Sequence, residues 1–242
     1  MILLFLKLIL THLVGDFFLQ PQKWVKDKEK KKLKSIWLYI HVTIHIVLMF
    51  LIIWDLSYTL LILFIGIAHL IIDALKLLMQ NKKTKRLYFF IDQALHVLSI
   101  LVLSYLFKDN LEHNDIILNF TLSTHALLFI ICFGFLTMPT SIIMKIIFSK
   151  WNISKLTKGN NSLEDAGQYI GILERVLVFI FIIVGHWEAV GFLITAKSVF
   201  RFGDLTSTKE RKLTEYILIG TLISFGIAII IGLMYLNLKP YV

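Results

Sequence analysis

The sequence predicts an all-α integral membrane protein, a polytopic bundle of about eight transmembrane helices. Its 242 residues are 57% hydrophobic, whereas soluble domains are about 45–50% apolar. The mean hydropathy is +0.79. Apolar stretches long enough to cross a bilayer recur along the chain, and basic residues concentrate in the short segments between them. Together these observations predict a helical membrane bundle.

Eight helices account for the apolar stretches. They are expected at about residues 2–19, 35–54, 58–79, 87–107, 116–148, 166–184, 188–201 and 214–236. The fifth is long enough to tilt or to extend past the bilayer, and the seventh is short. The first four helices form a predicted bundle over residues 1–108. Residues 109–242 form a second four-helix half, which is expected to pack against the first in one structural unit.

The charge pattern predicts the orientation in the membrane. The net charge is +9, but the lysines cluster in short loops, which is typical of a cytoplasmic membrane face and not of a nucleic-acid partner. The basic loops are residues 21–34, 80–86, 149–165 and 202–213, and they alternate with short connections that carry almost no lysine. We therefore expect the basic loops in the cytoplasm and both termini outside.

Four pairs of metal-ligand side chains lie in the first four predicted helices. Each pair is four residues apart, so its members lie on one helix face. All pairs are about two turns from the predicted cytoplasmic surface. The pairs are His12 with Asp16, His41 with His45, His69 with Asp73, and Asp92 with His96.

These residue types predict a metal site. Neutral imidazole and carboxylate bind zinc, manganese and iron, and a metal ion would compensate carboxylates that are costly inside a membrane. We expect one or two divalent ions per chain, with zinc favoured over manganese or iron. Interhelical hydrogen bonds and ion pairs are the alternative explanation. The single Cys132 excludes an internal disulfide and a thiolate cluster.

Roles can be assigned within this site. Each aspartate is a candidate metal ligand and a candidate general base on a metal-bound water. Gln20 and Gln93 are expected to hydrogen-bond to the ligands, and Gly15 would allow close helix approach. The three candidate catalytic carboxylates are Asp16, Asp73 and Asp92.

A second set of charged residues lies near the same predicted membrane surface. The functional interpretation is a patch that binds the anionic group of a substrate. In the alternative interpretation, Lys76 extends to the interface, and Lys197 pairs with Glu174 or Glu215. The candidate substrate-binding residues are Lys76, Glu174, Arg175, Lys197 and Arg201.

Several motifs together resemble a known family. The stretches HLVGDFFLQ, HLIID, DQALH, AGQYIGILER, AKSVFRFGD and EYILIGTLIS are similar to the bacterial membrane family called domain of unknown function 3307. The resemblance covers nearly the whole chain and implies a multi-pass protein of the bacterial inner membrane. The first half also resembles, more loosely, the predicted membrane-bound metal-dependent hydrolases, which have His and Asp at helical spacing.

The leading hypothesis is a metal-dependent hydrolase that acts on a lipid or phosphoester at the cytoplasmic leaflet. The alternatives are a di-iron-type membrane oxygenase, a metal or proton transporter, and a non-enzymatic membrane partner protein. Membrane lipid is the expected partner, and no nucleic acid is expected. A second copy of the chain and another membrane protein are further candidate partners. Only His41–His45 fits the histidine spacing of membrane oxygenases, and the outer halves of the first four helices are apolar, which disfavours transport.

Overall fold

The computed structural model describes residues 1–107, 123–151, 166–202 and 208–242, with only the backbone for residues 200–202 and 208–212. Within these ranges the fold is entirely helical. The helices are α1 (Ile2–Phe17), α2 (Gln22–Lys31), α3 (Ile36–Ile53), α4 (Thr59–Met79), α5 (Lys85–Leu106), α6 (Thr124–Phe135), α7 (Met138–Phe148), α8 (Ala166–Ile183), α9 (Trp187–Phe202) and α10 (Thr208–Leu238).

Six segments in the described part of the chain are long and apolar enough to span a membrane. A seventh is obtained only if α1 and the segment Gln22–Lys34, bent from it by 80°, are taken as one span. The six segments are Ile36–Ile53, Leu56–Met79, Lys85–Leu106, Thr124–Phe148, Ala166–Ile183 and Leu213–Tyr241. The predicted class, an all-helical membrane bundle, is therefore confirmed.

The chain divides into two compact units, essentially Met1–Ile131 and Cys132–Tyr241. The boundary predicted between residues 108 and 109 lies outside the described residues. The first unit contains the four helices that carry the predicted His and Asp pairs.

In the first unit, α1, α3, α4 and α5 form a closed ring of four helices. α1 contacts α3 and α5, and α4 contacts the same two helices. Buried positions recur every three or four residues, as a helix with one inward face requires. One end of the ring is filled by an apolar core of Leu4, Leu8, Met49, Ile53, Leu61, Ile62, Ile65 and Ile100.

The other end of the ring reverses the pattern of a soluble bundle. Its interior is polar, because the histidines of α3 and α4 are buried. Its exterior is apolar, because large side chains such as Val47, Ile71 and Leu98 are about half exposed. Such a surface is unfavourable in water and suited to lipid.

The structure corrects the prediction that residues 21–34 are a loop, because they contain α2. This segment is rich in lysine, which favours helix, but it has too few apolar residues to show the periodicity by which a helix is predicted. α2 is fixed against the start of α3 by Trp24, whose ring stacks on Trp37 with a centroid distance of 4.5 Å.

The predicted long fifth helix is broken, and its first part, residues 116–122, lies outside the described residues. The remainder consists of α6 and α7, separated at Leu136 and Thr137. Pro139 in the first turn of α7 explains the break, because proline has no N–H to donate and its ring clashes with the carbonyl of the residue four positions earlier, here Phe135.

Candidate metal centre

The eight predicted ligand side chains lie together inside the ring of α1, α3, α4 and α5. Each helix contributes one pair, near the C-terminal end of α1 and α4 and near the N-terminal end of α3 and α5. Seven of the residues are buried, and the Asp16 side chain is 10% exposed. We call these eight residues the His/Asp cluster.

Asp16 lies at the centre of the His/Asp cluster. Its Oδ1 is 3.0 Å from His45 Nε2, 3.2 Å from His41 Nε2 and 3.7 Å from His69 Nε2. The Nε2 atoms of His41 and His69 are 3.1 Å apart. Ligands about 2.0–2.1 Å from a tetrahedral ion are roughly 3.3 Å from one another. The converging nitrogen and oxygen atoms therefore have separations close to those of metal ligands.

Three overlapping sets of residues place one donor atom each within 4.8 Å of the others. The first and second sets share His69, and the first and third share Asp16, so they are overlapping positions within one centre. The first ligand group is His12, Asp16, His45 and His69; the second is His41, His69 and Asp73; the third is Asp16, Asp92 and His96.

Unpartnered polar atoms concentrate in the His/Asp cluster. Five buried side-chain nitrogen or oxygen atoms of the described residues have no hydrogen-bond partner, and all but one belong to the cluster. Buried polar groups are normally paired, so these atoms mark a place where a ligand would be favourable. The four cluster atoms are His12 Nδ1, His41 Nδ1, Asp92 Oδ1 and His96 Nε2. The last two lie 3.5 Å apart, which is an ion-pair distance although no hydrogen bond is formed.

A small cavity of about 10 Å³ borders the cluster and is lined by His12, His45, His69 and His96. This volume holds about one water molecule. The cavity is also lined by one apolar residue on each helix, four positions from the histidine. We call these four residues the apolar layer: Leu8, Met49, Ile65 and Ile100.

Two lysines pair with the cluster, and one of them escaped sequence reasoning. Lys28 Nζ donates to Asp73 Oδ2 at 2.8 Å, and both side chains are buried. Lys76 Nζ donates to Asp92 Oδ2 at 2.7 Å, whereas the sequence suggested an anionic substrate or the interface as its partner. The sequence feature that could have identified Lys28 is its position one helical turn after Trp24. This spacing places both residues on the face of α2 that packs inward.

Of the two predicted supporting glutamines, Gln93 contacts the cluster. Its Nε2 donates to Asp16 Oδ2 at 2.8 Å and to Asp92 Oδ2 at 3.3 Å, and its Oε1 is 3.3 Å from His12 Nε2. Among the described contacts no hydrogen bond joins Gln20 to the cluster.

Gly15 has the predicted close approach. A Cβ atom at this position would collide with the imidazole ring of His45, including its Nε2. Only the absence of a side chain therefore lets α1 and α3 bring Asp16 and His45 together.

The remaining predicted substrate-binding residues lie in the second unit. Lys197 Nζ pairs with Glu174, which is one of the two ion pairs considered above. The side chain of Arg201 lies outside the described residues. The structure thus brings together two members of the predicted patch as an ion pair.

Arg175 is buried and bonds to the break between α6 and α7. Its Nε donates to the Leu136 carbonyl at 2.6 Å and its Nη2 to the Thr137 carbonyl at 3.2 Å. Further bonds join it to Ser141 and Ser224. The Leu136 carbonyl lies in the break between the two helices, whereas the Thr137 carbonyl also accepts from the Ser141 backbone N–H at 3.2 Å. Both contacts join Arg175 to the break and favour a structural role for the guanidinium.

Comparison with known families gives one result. Residues 4–128, just over half of the chain, match the family described as Protein of unknown function (DUF3307). The chain belongs to this family. The matched DUF3307 region contains all eight residues of the His/Asp cluster together with Lys28, Lys76 and Gln93. Comparisons with curated proteins and with solved structures gave no significant match. The looser resemblance to metal-dependent hydrolases stays a hypothesis.

Proposed function

We propose that this protein is a metal-dependent membrane hydrolase whose divalent ion binds in the His/Asp cluster. The observation that carries the proposal is the convergence of five imidazoles and three carboxylates in one bundle with an apolar exterior. Four of their atoms are buried without a hydrogen-bond partner. Zinc is the favoured ion, because the donors are nitrogen and oxygen at near-tetrahedral spacing; manganese and iron accept the same donors.

The charges of the cluster support a bound cation. The three aspartates carry three negative charges, and Lys28 and Lys76 contribute two positive ones. With neutral imidazoles, one negative charge remains uncompensated in the interior of the bundle. An unpaired buried charge is strongly unfavourable. A bound cation would compensate this charge, and a single protonated histidine is the alternative way to balance it.

The surroundings suit hydrolysis at one membrane face. A divalent ion activates a bound water and polarises the scissile group, and the adjoining cavity has room for such a water. The apolar layer lies on the side of the cluster away from the basic segments. A substrate would therefore enter from the basic end, where an anionic lipid or phosphoester is attracted, because the apolar core fills the other end of the ring. This arrangement disfavours the transporter alternative.

The proposed topology has eight spans, with α1 and α9 added to the six long apolar segments. α1 closes the ring with α3 and α5 and so passes through the same layer as they do. The basic segments at 21–34 and 80–86 would face the cytoplasm of a bacterial inner membrane, and both termini would lie outside.

The test is the metal content of full-length protein purified in detergent without chelators, measured by mass spectrometry. We expect bound zinc, manganese or iron in the natural protein and its loss in His41→Ala/His45→Ala. The matched control is His125→Ala/His186→Ala, which removes two exposed histidines outside the cluster and should keep the metal. A well-folded natural protein without metal contradicts the proposal.

The activity is tested on the metal-loaded protein in vesicles of anionic phospholipid, by phosphate and head-group release. Hydrolysis should disappear with His41→Ala/His45→Ala and persist in the control. Iron with an oxo-bridge absorption band, and no hydrolysis, would instead indicate the oxygenase alternative.

One observation favours a second candidate. The ion pairs Lys28–Asp73 and Lys76–Asp92 join α2 to α4 and α4 to α5. Such links are expected if the cluster only holds the helices together and the protein is a non-enzymatic partner of another membrane protein. In that case the cluster binds no metal and the double alanine variant loses stability only.

A further inference from the structure

We infer that Gln93 is a positioning residue of the proposed metal centre and that it makes Nδ1, not Nε2, the ligand nitrogen of His12. Its side-chain carbonyl holds the imidazole proton on Nε2, and its amide nitrogen holds one oxygen of the Asp16 carboxylate. The inference rests on the proposed function, because it specifies the atoms through which two residues of the first ligand group would bind the ion.

Two carboxylates fix the orientation of the Gln93 amide. Its Nε2 lies 2.8 Å from Asp16 Oδ2 and 3.3 Å from Asp92 Oδ2. The amide nitrogen has two protons to donate, whereas the amide oxygen can only accept. The reversed amide would place that oxygen against two carboxylate oxygens, with no proton between them. The nitrogen therefore faces the carboxylates, and Oε1 faces His12.

This orientation decides which nitrogen of His12 carries the proton. Gln93 Oε1 is 3.3 Å from His12 Nε2, and an oxygen that only accepts requires an N–H at that position. A neutral imidazole then has its lone pair on the other nitrogen. His12 Nδ1 is buried without a hydrogen-bond partner. A buried N–H in that place would be costly, whereas a bare nitrogen is what a metal ion binds.

His12 thus has the arrangement that is typical of metal-binding histidines. In such residues one ring nitrogen binds the ion, and the other donates its proton to a carbonyl or carboxylate that fixes the tautomer and the ring orientation. Gln93 supplies the carbonyl, and Nδ1 is the nitrogen left for the ion. Nε2 could bind an ion only after losing its proton and its bond to Gln93.

The same glutamine distinguishes the two oxygens of Asp16. Oδ2 accepts from Gln93, whereas Oδ1 is 3.0 Å from His45 Nε2 and 3.7 Å from His69 Nε2. His45 and His69 belong to the first ligand group together with Asp16 and His12. Gln93 therefore leaves Oδ1, the oxygen beside the imidazoles, as the ligand oxygen. One side chain of α5 positions two ligands of α1.

The first experiment identifies the ligand nitrogen directly. Full-length protein with ¹⁵N-labelled histidine is purified in detergent, loaded with ¹¹³Cd²⁺ in place of Zn²⁺, and studied by NMR. A coupling between ¹¹³Cd and ¹⁵N marks each nitrogen that binds the ion. The His12 signals are assigned in the metal-free protein by their absence in His12→Asn and are followed during loading. We expect coupling to His12 Nδ1 and an Nε2 that keeps its proton.

The second experiment compares the Cd²⁺ affinity of two glutamine variants. Gln93→Met keeps the length of the side chain and removes both the carbonyl and the amide nitrogen. Loss of such a partner weakens metal binding by about 10–100-fold. The coupling at His12 should also no longer be confined to Nδ1, because nothing then holds the proton on Nε2. Gln22→Met makes the same change at an exposed glutamine of α2 and should keep both the affinity and the coupling.

The outcomes separate this inference from the proposed function. Coupling of the bound ion to His12 Nε2, or to neither nitrogen of His12, refutes the inference and leaves the metal centre standing. A proton on Nδ1 in the metal-free protein, or natural affinity in folded Gln93→Met, also refutes the role assigned to Gln93. A natural protein that binds no ion refutes the metal centre and the inference with it. If Gln93→Met does not fold, the coupling in the natural protein decides alone.

Discussion

Gly15→Ala is the sharpest test of how the His/Asp cluster is assembled. The added methyl group would overlap the His45 ring, whose Cε1 and Nε2 are its nearest neighbours. Non-bonded carbon atoms prefer separations of about 3.5–4.0 Å, so the ring must move by on the order of 1 Å. Functional geometries tolerate only about 0.5 Å of error. We therefore expect Gly15→Ala to remove His45 from the ligand set and to lose the bound metal.

The stability change can be worked out from two opposing effects. Alanine in place of glycine in a helix interior is favourable by about 0.5–1 kcal/mol. Forcing an extra carbon into a packed interior costs about 1–3 kcal/mol. The net expectation for Gly15→Ala is a loss of about 1–2 kcal/mol. Gly226→Ala is the matched control, because nothing lies within 4 Å of a Cβ atom there, and it should be neutral or stabilised by up to about 1 kcal/mol.

The assay measures metal content and stability on the same samples. Stability is followed as unfolding in detergent, either on heating or on titration with SDS. Gly15→Ala should lose metal and stability together, and Gly226→Ala should lose neither. If Gly15→Ala keeps natural metal content and unfolds like Gly226→Ala, the close approach of α1 and α3 at this position is wrong.

Three further predictions address the rest of the chain. Lys76→Met should destabilise the protein by up to about 3 kcal/mol, because the buried Asp92 carboxylate loses its ammonium partner while Gln93 and His96 stay close; Lys76→Met/Asp92→Asn should recover much of this loss in an unfolding measurement, and a loss that is not recovered would contradict the pairing. Arg175→Lys keeps the charge but cannot reproduce the forked bonds, so a loss of about 2–4 kcal/mol is expected; unchanged unfolding would contradict the capping role. In a variant that lacks Cys132, a thiol reagent that cannot cross the membrane should label Lys30→Cys from one side and Ser57→Cys from the other; labelling of both from the same side would refute the topology.

Much of the fold follows from sequence patterns alone. Apolar segments of membrane length specify helices, because a backbone in lipid must satisfy its own hydrogen bonds. Hydropathy alone does not predict the break in the fifth helix, because one proline, Pro139, hardly changes the mean hydropathy of an apolar run. α2 was missed for the opposite reason, since a charged helix has no apolar stripe to reveal it.

The residues of the candidate site were also accessible from sequence, through a spacing of four. His12 with Asp16 and His69 with Asp73 must share helix faces, and an inward polar face in a membrane helix implies partners on other helices. The spacing of four does not identify which side chain on another helix each His or Asp contacts. Lys28 lies 45 residues from Asp73, and Gln93 lies 77 residues from Asp16.

By itself, the sequence determined the helical membrane architecture, the membership of the His/Asp cluster and its common depth, because these depend on local periodicity and hydropathy. Only the tertiary structure decided that a helix from the basic segment inserts Lys28 beside Asp73, and that Arg175 caps the break after Leu136. The physical reason is that charge compensation and carbonyl capping are contacts between distant parts of the chain. Such contacts depend on how helices pack, and packing is not encoded in any single helix.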